Sequence, residues 1–305
     1  MDQEIIPTEN EEILKDVLGS IEDNQWCQKN FYELPADEAL KYGWNEFSRK
    51  VKHSTRYVFF QVRDESEDRR GHEEIPPYAM LDVLGNVISE VNLIKDIKKG
   101  TTIFRVRIHE PSETFTTSKD LGPPEIAKYS NRMSPAGISM FYGAFAEKTA
   151  IDETFEKGHK KTKVATVATF EATRDMKVLD LTALPAVPSL FDQSKRSIRA
   201  GIIFLYSFVK DVSKPISKDG IEHIEYVPTQ IFTEYFRHIF VDEHKNKING
   251  ILYRSSKHNG GVSSVLFLDN KNCADSATNV GADISLILIK TERISLNKIN
   301  NQNNR

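Results

Sequence analysis

The segment TTIFRVRIH, residues 101–109, begins the part of the chain where the apolar residues change from a helical to a strand-like spacing. Phe104, Val106 and Ile108 alternate with polar residues, as on a strand with one buried face. The segment NRMSPAGISMFYGA, residues 131–144, contains the next strand-like run. We therefore expect a sheet to begin at this point of the chain.

Further strands and helices follow this segment. Strand-like runs cover residues 164–170, 178–181, 250–255, 262–268 and 284–289, and helical patterns cover residues 197–209 and 230–241. Strands and helices without a strict β-α-β alternation are typical of an α+β domain. We predict that fold class, with a mixed sheet as the core and helices flanking it.

The residues before this segment have a mostly helical pattern. Residues 11–18 and 36–51 each place apolar side chains on one helix face, and the longest pattern runs from Leu81 through Ile94 until Gly100 ends it. These apolar faces are too large to leave exposed. We expect the helices to pack on the following domain or on a second copy of the chain.

These changes in pattern divide the 305 residues into three parts. We predict a helical N-terminal domain over residues 1–100, an α+β domain over residues 101–295, and a disordered, asparagine-rich tail over residues 296–305.

Composition and motifs exclude several function classes. The formal net charge of -3 argues against a protein that coats nucleic acid. Cys27 and Cys273 are far apart, which fits a reducing, cytoplasmic setting, and no apolar run approaches the roughly 20 residues that a membrane span needs. The histidines show no pairing typical of a metal site, and Gly260-Gly261 lacks the context of a phosphate-binding loop. We expect no metal.

The segment between residues 101 and 153 brings chemically useful side chains together. Arg105 and Arg132 could bind an anion, Tyr142 could stack on a ring, and Glu153 follows on an amphipathic helix. Taken alone, Arg105 also fits a strand-face arginine and Tyr142 a core residue. A buried Glu153 needs a partner, and we expect Arg132 to pair with it.

At this point the chain resembles a known family, the RES domain family. The pattern Asn-Arg-x-x-Pro-x-Gly-Ile-x-x-x-Tyr-x-Ala over residues 131–144, followed by Glu153, is similar to the family's central block. The family's glycine-led strand ending in Tyr-x-Ser appears as GILYRS, residues 250–255. The resemblance covers residues 101–268. It departs from the family at Met133, where members have an aromatic residue.

The resemblance implies a fold similar to ADP-ribosyltransferases and a bacterial, cytoplasmic toxin that consumes NAD⁺ without a metal. It places Arg132, Tyr142, Glu153 and Ser255 in the catalytic site, and Arg105, Arg132 and Tyr142 around the NAD⁺ substrate. Arginine suits a diphosphate, and a carboxylate stabilises the positive charge that develops on ribose as nicotinamide leaves. Ser255 would hold the glutamate or a ribose hydroxyl.

The helical first 100 residues resemble the HEPN-like front of longer RES proteins. HEPN ribonucleases place a histidine five to seven positions after an arginine, whereas Arg49 and His53 are four apart, so we expect no nuclease activity. The resemblance implies a toxin–antitoxin or anti-phage system, with an antitoxin protein as partner. A homodimer through the N-terminal helices is a further expectation, and neither nucleic acid nor membrane is an expected partner.

Three functions stay open at this point. The first is cleavage of NAD⁺ by water or phosphate, and the second is transfer of ADP-ribose to a macromolecule. Such transferases often carry an acid two residues before the catalytic glutamate, where this chain has Ile151, which favours a small acceptor. The third is an inactive, partner-binding module, and the complete set of site residues counts against it.

Overall fold

A computed structural model describes residue 15 and residues 34–62, 75–155, 164–214, 220–275, 281 and 283–295. The helix predicted over residues 11–18, apart from residue 15, lies outside the described residues. Cys27 and the tail predicted over residues 296–305 also lie outside them.

The described residues form seven α-helices and nine β-strands. The helices are α1 (Ala36–His53), α2 (Met80–Glu90), α3 (Ser118–Leu121), α4 (Glu147–Thr154), α5 (Arg196–Ser213), α6 (Glu222–Glu225) and α7 (Val227–His238). The strands are β1 (Ile94–Ile97), β2 (Thr102–His109), β3 (Phe141–Ala144), β4 (Val164–Ala172), β5 (Met176–Asp180), β6 (Gly250–Arg254), β7 (Val262–Leu266), β8 (Cys273–Ala274) and β9 (Leu286–Ser295).

The nine strands form one sheet in the order β1-β5-β6-β7-β3-β2-β4-β9-β8. Neighbours are antiparallel except for β5–β6 and β8–β9, which are parallel. One face packs against α1, α2, α5 and α7, and the other carries a second apolar cluster that includes Phe141, Phe170 and Leu121 of α3. This mixed sheet with flanking helices confirms the predicted α+β fold.

The chain between α2 and β2 differs from the prediction. The helical spacing of apolar residues continues to Ile94, but α2 ends at Glu90 and Ile94 begins β1. Asn92 adopts a left-handed conformation with φ 56°, and after it the chain pairs antiparallel with β5, Ile94 opposite Leu179. The predicted helix is wrong beyond Glu90, because a three-residue step between apolar residues fits a helix or a turn into a strand. The boundary predicted at residue 100 stays a prediction.

Helix α1 packs within the chain, as expected from its apolar face. Trp44 and Phe47 are buried, and the Trp44 ring meets the edge of Phe208 on α5 at a centroid distance of 4.9 Å. Phe208 in turn lies 5.2 Å from the ring of Phe232 on α7. Aromatic contacts therefore join α1, α5 and α7, while the homodimer stays a prediction.

The two central strands β2 and β3 separate after a single residue pair. Strand β2 pairs with β4 over its whole length, but with β3 only at Phe104 opposite Ala144. Next to this pair the strands approach closely, since a Cβ added to Gly143 would lie 2.6 Å from Ile103 Cγ2. A glycine is therefore required where the opening begins.

We predict that Phe208→Ala lowers the free energy of unfolding by about 3–5 kcal/mol, because it leaves a cavity at the junction of three helices. The matched control is Phe191→Ala, whose side chain is 59% exposed and should change stability by about 0.5 kcal/mol or less. Chemical denaturation measures both. If both variants lost the same small amount of unfolding free energy, the described packing of α1 on α5 would be contradicted.

Candidate active site

A cavity of about 510 Å³ lies where β2 and β3 separate, and we call it the site cavity. Strands β2, β3, β6 and β7 and helix α4 contribute to its lining. The structure brings Arg105, Arg132, Tyr142 and Glu153 together on this lining, although they come from separate segments. Ser255 joins them by a hydrogen bond to Glu153. Their catalytic roles stay predictions.

The charged residues on the lining are mostly cations. Glu153 is the one carboxylate among the described residues of the lining, and the cations are Arg105, Arg132, Arg254 and Lys257. The whole chain is slightly acidic, with a formal net charge of -3, so this excess of positive charge is local. Such a cavity suits a ligand with negative charge, such as a diphosphate.

Arg105 is a half-buried cation where the two strands separate. Its Nη1 donates to the carbonyl oxygen of Tyr142 at 2.8 Å, and its guanidinium carbon lies 5.2 Å from the centre of the Phe141 ring. Its Nε atom is buried and has no hydrogen-bond partner in the described part of the chain. Burial lowers the pKa of Arg105 to about 10, which leaves it charged at neutral pH. A half-buried cation with an unused N–H is suited to an anionic ligand.

Arg132 lies in a tight turn, and its contacts differ from the prediction. Asn131 and Ser134 bond to each other through their backbones, with Arg132 between them. The guanidinium donates to the carbonyls of Val212 at 2.7 Å and Lys214 at 2.6 Å, at the C-terminal end of α5. The predicted pairing with Glu153 is therefore wrong, because the orphan carbonyls of a helix end take these N–H groups.

Helix α7 holds this turn in place by hydrogen bonds to its backbone carbonyls. Thr229 donates to the carbonyl of Arg132 at 2.6 Å, and the Gln230 side-chain amide donates to the carbonyl of Asn131 at 2.7 Å. Met133 is buried in the core beside Thr233. Met133 thus fills core space where the family pattern has an aromatic residue, and the arginine still reaches the cavity.

Glu153 is held by Ser255 across 102 positions of sequence. The Ser255 hydroxyl donates to Glu153 Oε1 at 2.5 Å. The same hydroxyl oxygen accepts from the backbone N–H groups of His258 at 2.9 Å and Lys257 at 3.2 Å. These two acceptor contacts orient the hydroxyl hydrogen toward the carboxylate. Ser255 therefore takes the partner position that was predicted for Arg132.

The segment after β6 makes two further hydrogen bonds to helix α4. Lys257 Nζ donates to the backbone carbonyl of Glu153 at 2.7 Å, in the last turn of α4, where a cation offsets the negative helix end. His258 Nδ1 and Thr149 Oγ1 are hydrogen-bonded at 2.6 Å, and Thr149 is fully buried. Gly261 permits this approach, because a Cβ there would lie 2.7 Å from Thr149 Oγ1.

Three tyrosines line the cavity. Burial raises the pKa of Tyr142 to about 12, and its hydroxyl is hydrogen-bonded to Ser134 Oγ at 2.9 Å. Burial also raises the pKa of Tyr253. The Arg132 guanidinium lies over the ring of Tyr226, with 5.8 Å between the guanidinium carbon and the ring centre. Both hydroxyls with raised pKa values therefore stay protonated at neutral pH.

Sequence reasoning missed Tyr226, Tyr253 and Lys257 as lining residues. Tyr253 and Lys257 each stand two positions from Ser255, and the alternation of β6, which ends at Arg254, could have identified Tyr253. Tyr226 carries no motif, and its position depends on how the start of α7 meets the turn of Arg132.

Two other features of the described residues bear on the function classes. Within the described ranges, no three histidine, cysteine, aspartate or glutamate side chains come together in a group that could hold a metal ion. None of the helices in the described part of the chain is long and apolar enough to cross a membrane.

Comparisons with known proteins agree with this geometry. A family model described as "RES domain" matches residues 102–289, which contain every lining residue of the site cavity. A second, described as "HEPN/RES N-terminal domain 1", matches residues 1–65. No curated protein and no solved structure matches the chain. The first match covers more than half of the chain, and the chain therefore belongs to the RES domain family.

Proposed function

We propose that this protein cleaves the bond between nicotinamide and ribose in NAD⁺ and acts as a toxin. RES domains are in general enzymatic toxins that use NAD. The observation that carries the proposal is the carboxylate of Glu153, fixed by Ser255, in a cavity where every other charged group among the described lining residues is a cation. This arrangement combines a diphosphate-binding surface with one negative charge for a cationic transition state.

The proposed reaction needs no covalent chemistry from the protein. The bond between the nicotinamide nitrogen and ribose C1′ breaks, and nicotinamide leaves with the bonding electron pair. Positive charge then develops on ribose, and the Glu153 carboxylate stabilises it electrostatically. A water or phosphate oxygen forms the new bond to C1′. With water, the products are nicotinamide, ADP-ribose and a proton.

In this proposal, Arg105 and Arg132 both bind the diphosphate of NAD⁺. Arg105 has a buried Nε to which no described residue is hydrogen-bonded, whereas Arg132 already donates to two helix carbonyls. A guanidinium has five N–H donors, so Arg132 still has donors for a second acceptor. The tyrosines offer flat faces for the nicotinamide ring. Fixed donors and rings bind with little reorganisation.

The surroundings of Glu153 support a small acceptor. Ile151 packs with Val106 and Ile108 in the apolar contact between α4 and β2. The position where macromolecular transferases often carry an acid is thus part of the core in this chain. Transfer of ADP-ribose to a macromolecule is the alternative, and product analysis separates the two.

The direct test is product identification. Purified protein is incubated with NAD⁺, with and without inorganic phosphate, and the products are separated and identified by mass. Hydrolysis gives nicotinamide and ADP-ribose, and phosphorolysis gives nicotinamide and a phosphorylated ADP-ribose. ADP-ribose label attached to added protein or nucleic acid would favour the alternative. Unchanged NAD⁺ under all conditions would overturn the proposal.

We predict that Glu153→Gln lowers kcat for NAD⁺ by at least about a hundredfold, which corresponds to about 2.7 kcal/mol of barrier. The amide keeps the size of the side chain and an oxygen that can accept from Ser255, but it removes the charge. The matched control is Glu147→Gln, an exposed acid in the first turn of the same helix, which should keep kcat unchanged. Turnover of Glu153→Gln at the parent's rate would rule out this role.

We also predict that Arg105→Gln and Arg132→Ala each weaken NAD⁺ binding by at least about tenfold, because each removes a charge-assisted contact to the diphosphate. Arg132→Ala should in addition lower stability by about 1–3 kcal/mol, since it leaves helix carbonyls unpaired. Binding is measured by calorimetry in the Glu153→Gln background, and unfolding by denaturant. Arg199→Gln removes a charge away from the cavity and serves as the control.

The proposal also states that cleavage of NAD⁺ is what makes the protein toxic. If NAD⁺ depletion is the toxic event, growth inhibition in the producing cell should disappear in Glu153→Gln and persist in Glu147→Gln. We expect an antitoxin protein to protect the cell when both are produced. A toxic Glu153→Gln variant that leaves cellular NAD⁺ unchanged would separate toxicity from the proposed reaction.

A further inference from the structure

A second polar cavity lies between the N-terminal helix α1 and the end of α5, beside the site cavity. It has a volume of about 370 Å³, and we call it the interhelix cavity. Its lining includes residues from the second half of α1, the end of α5, and the segment from Glu225 to Thr229. Arg49 and His53, which lack the nuclease spacing, both belong to this lining.

The interhelix cavity also has an excess of positive charge. Its charged lining groups, leaving His53 aside, are the cations Arg49, Lys52, Arg132 and Lys214, and the carboxylates Asp211 and Glu225. Glu225 is paired with Lys52 at 2.7 Å, and Asp211 accepts from the Trp44 indole N–H at 2.9 Å. Arg49 is also 2.8 Å from Glu46 on its exposed side. The carboxylates are thus held by groups on the lining, and the remaining field attracts an anion.

A second observation points to a ligand with hydrogen-bonding oxygens. Ser48 lines this cavity, and its hydroxyl oxygen is buried with no hydrogen-bond partner among the described residues. Buried hydroxyls in proteins nearly always have a partner. A phosphate oxygen is an acceptor that would satisfy such a donor and the neighbouring cations together.

Arg132 connects the two cavities, because its side chain lines both. Its two bonds to the carbonyls of Val212 and Lys214 fix the guanidinium at the end of α5. Hydrogen bonds from a guanidinium to an anion are stronger than those to neutral carbonyls. An anion in the interhelix cavity would therefore compete for the guanidinium that faces the site cavity.

We propose that the interhelix cavity is a second binding site, for a phosphorylated small molecule of mononucleotide size. Its volume of about 370 Å³ is at the lower end of the range for small-ligand sites, which fits a mononucleotide. The occupant draws Arg132 away from the site cavity and weakens NAD⁺ binding. This regulatory effect rests on the proposed function, whereas the binding itself does not.

The binding test uses the full chain and calorimetry with inorganic phosphate, pyrophosphate and AMP as separate probes. AMP should bind, and Arg49→Gln and Lys52→Gln should each weaken it by at least about tenfold. The matched control is Lys41→Gln, which removes the same charge from the same helix outside this cavity. Inorganic phosphate or pyrophosphate that binds as tightly as AMP would overturn the assignment to a mononucleotide-sized ligand.

Two further variants test the proposal even if Lys52→Gln does not fold. Glu225→Gln removes a negative charge from the lining and should tighten AMP binding by about threefold or more. Arg105 is not on the lining of the interhelix cavity, so Arg105→Gln should leave AMP binding there unchanged. AMP binding that depends on Arg105 and not on Arg49 would place AMP in the site cavity and overturn the proposal. Binding of a short oligoribonucleotide in place of AMP would also overturn it.

The regulatory test measures turnover with AMP present. The KM for NAD⁺ should rise with AMP in the parent protein and stay constant in Arg49→Gln. AMP binding without any change in KM would overturn the regulatory part alone. If the protein does not turn over NAD⁺, the calorimetric result still decides whether the second site exists.

Discussion

The separation of β2 from β3 is the constraint on which the site depends. A sheet that stayed paired past Phe104 and Ala144 would close the space now lined by Arg105 and Tyr142. The structure keeps the strands apart by placing a charged guanidinium between them, bonded to a strand carbonyl. Burying that charge without a carboxylate partner costs free energy, and an anionic ligand recovers it. The opening and the proposed binding of an anion thus both depend on Arg105.

The proposed reaction also needs a carboxylate whose position is fixed before the substrate binds. Electrostatic stabilisation is effective when the charged group needs no reorganisation during the reaction. Here the segment after β6 supplies a hydroxyl to the Glu153 side chain, an ammonium group to its backbone carbonyl, and an imidazole to Thr149 one turn earlier. Three contacts from one short segment hold one helix. This explains why a serine far away in sequence belongs to the same site as the glutamate.

The sequence predicted most of the fold because its periodicities are strong and local. The alternation in β2 and the apolar face of α1 are readable from a few neighbouring residues. The end of α2 was not readable, because the apolar step to Ile94 fits a helix as well as a turn into a strand. The contacts of Arg132 were not readable either. Its partners are carbonyls about 80 positions away, and backbone carbonyls carry no sequence signal.

The position of Arg132 also explains how an N-terminal helical region can matter for chemistry in a domain that begins later. The guanidinium is fixed by the last carbonyls of α5, so its direction depends on where α5 ends. Helix α5 is held in turn by α1, through the ring contact of Trp44 with Phe208 and the bond from Trp44 to Asp211. A shift of α1 would move the end of α5, and with it the arginine that faces the site cavity. The coupling therefore follows from one packed aromatic pair and three hydrogen bonds.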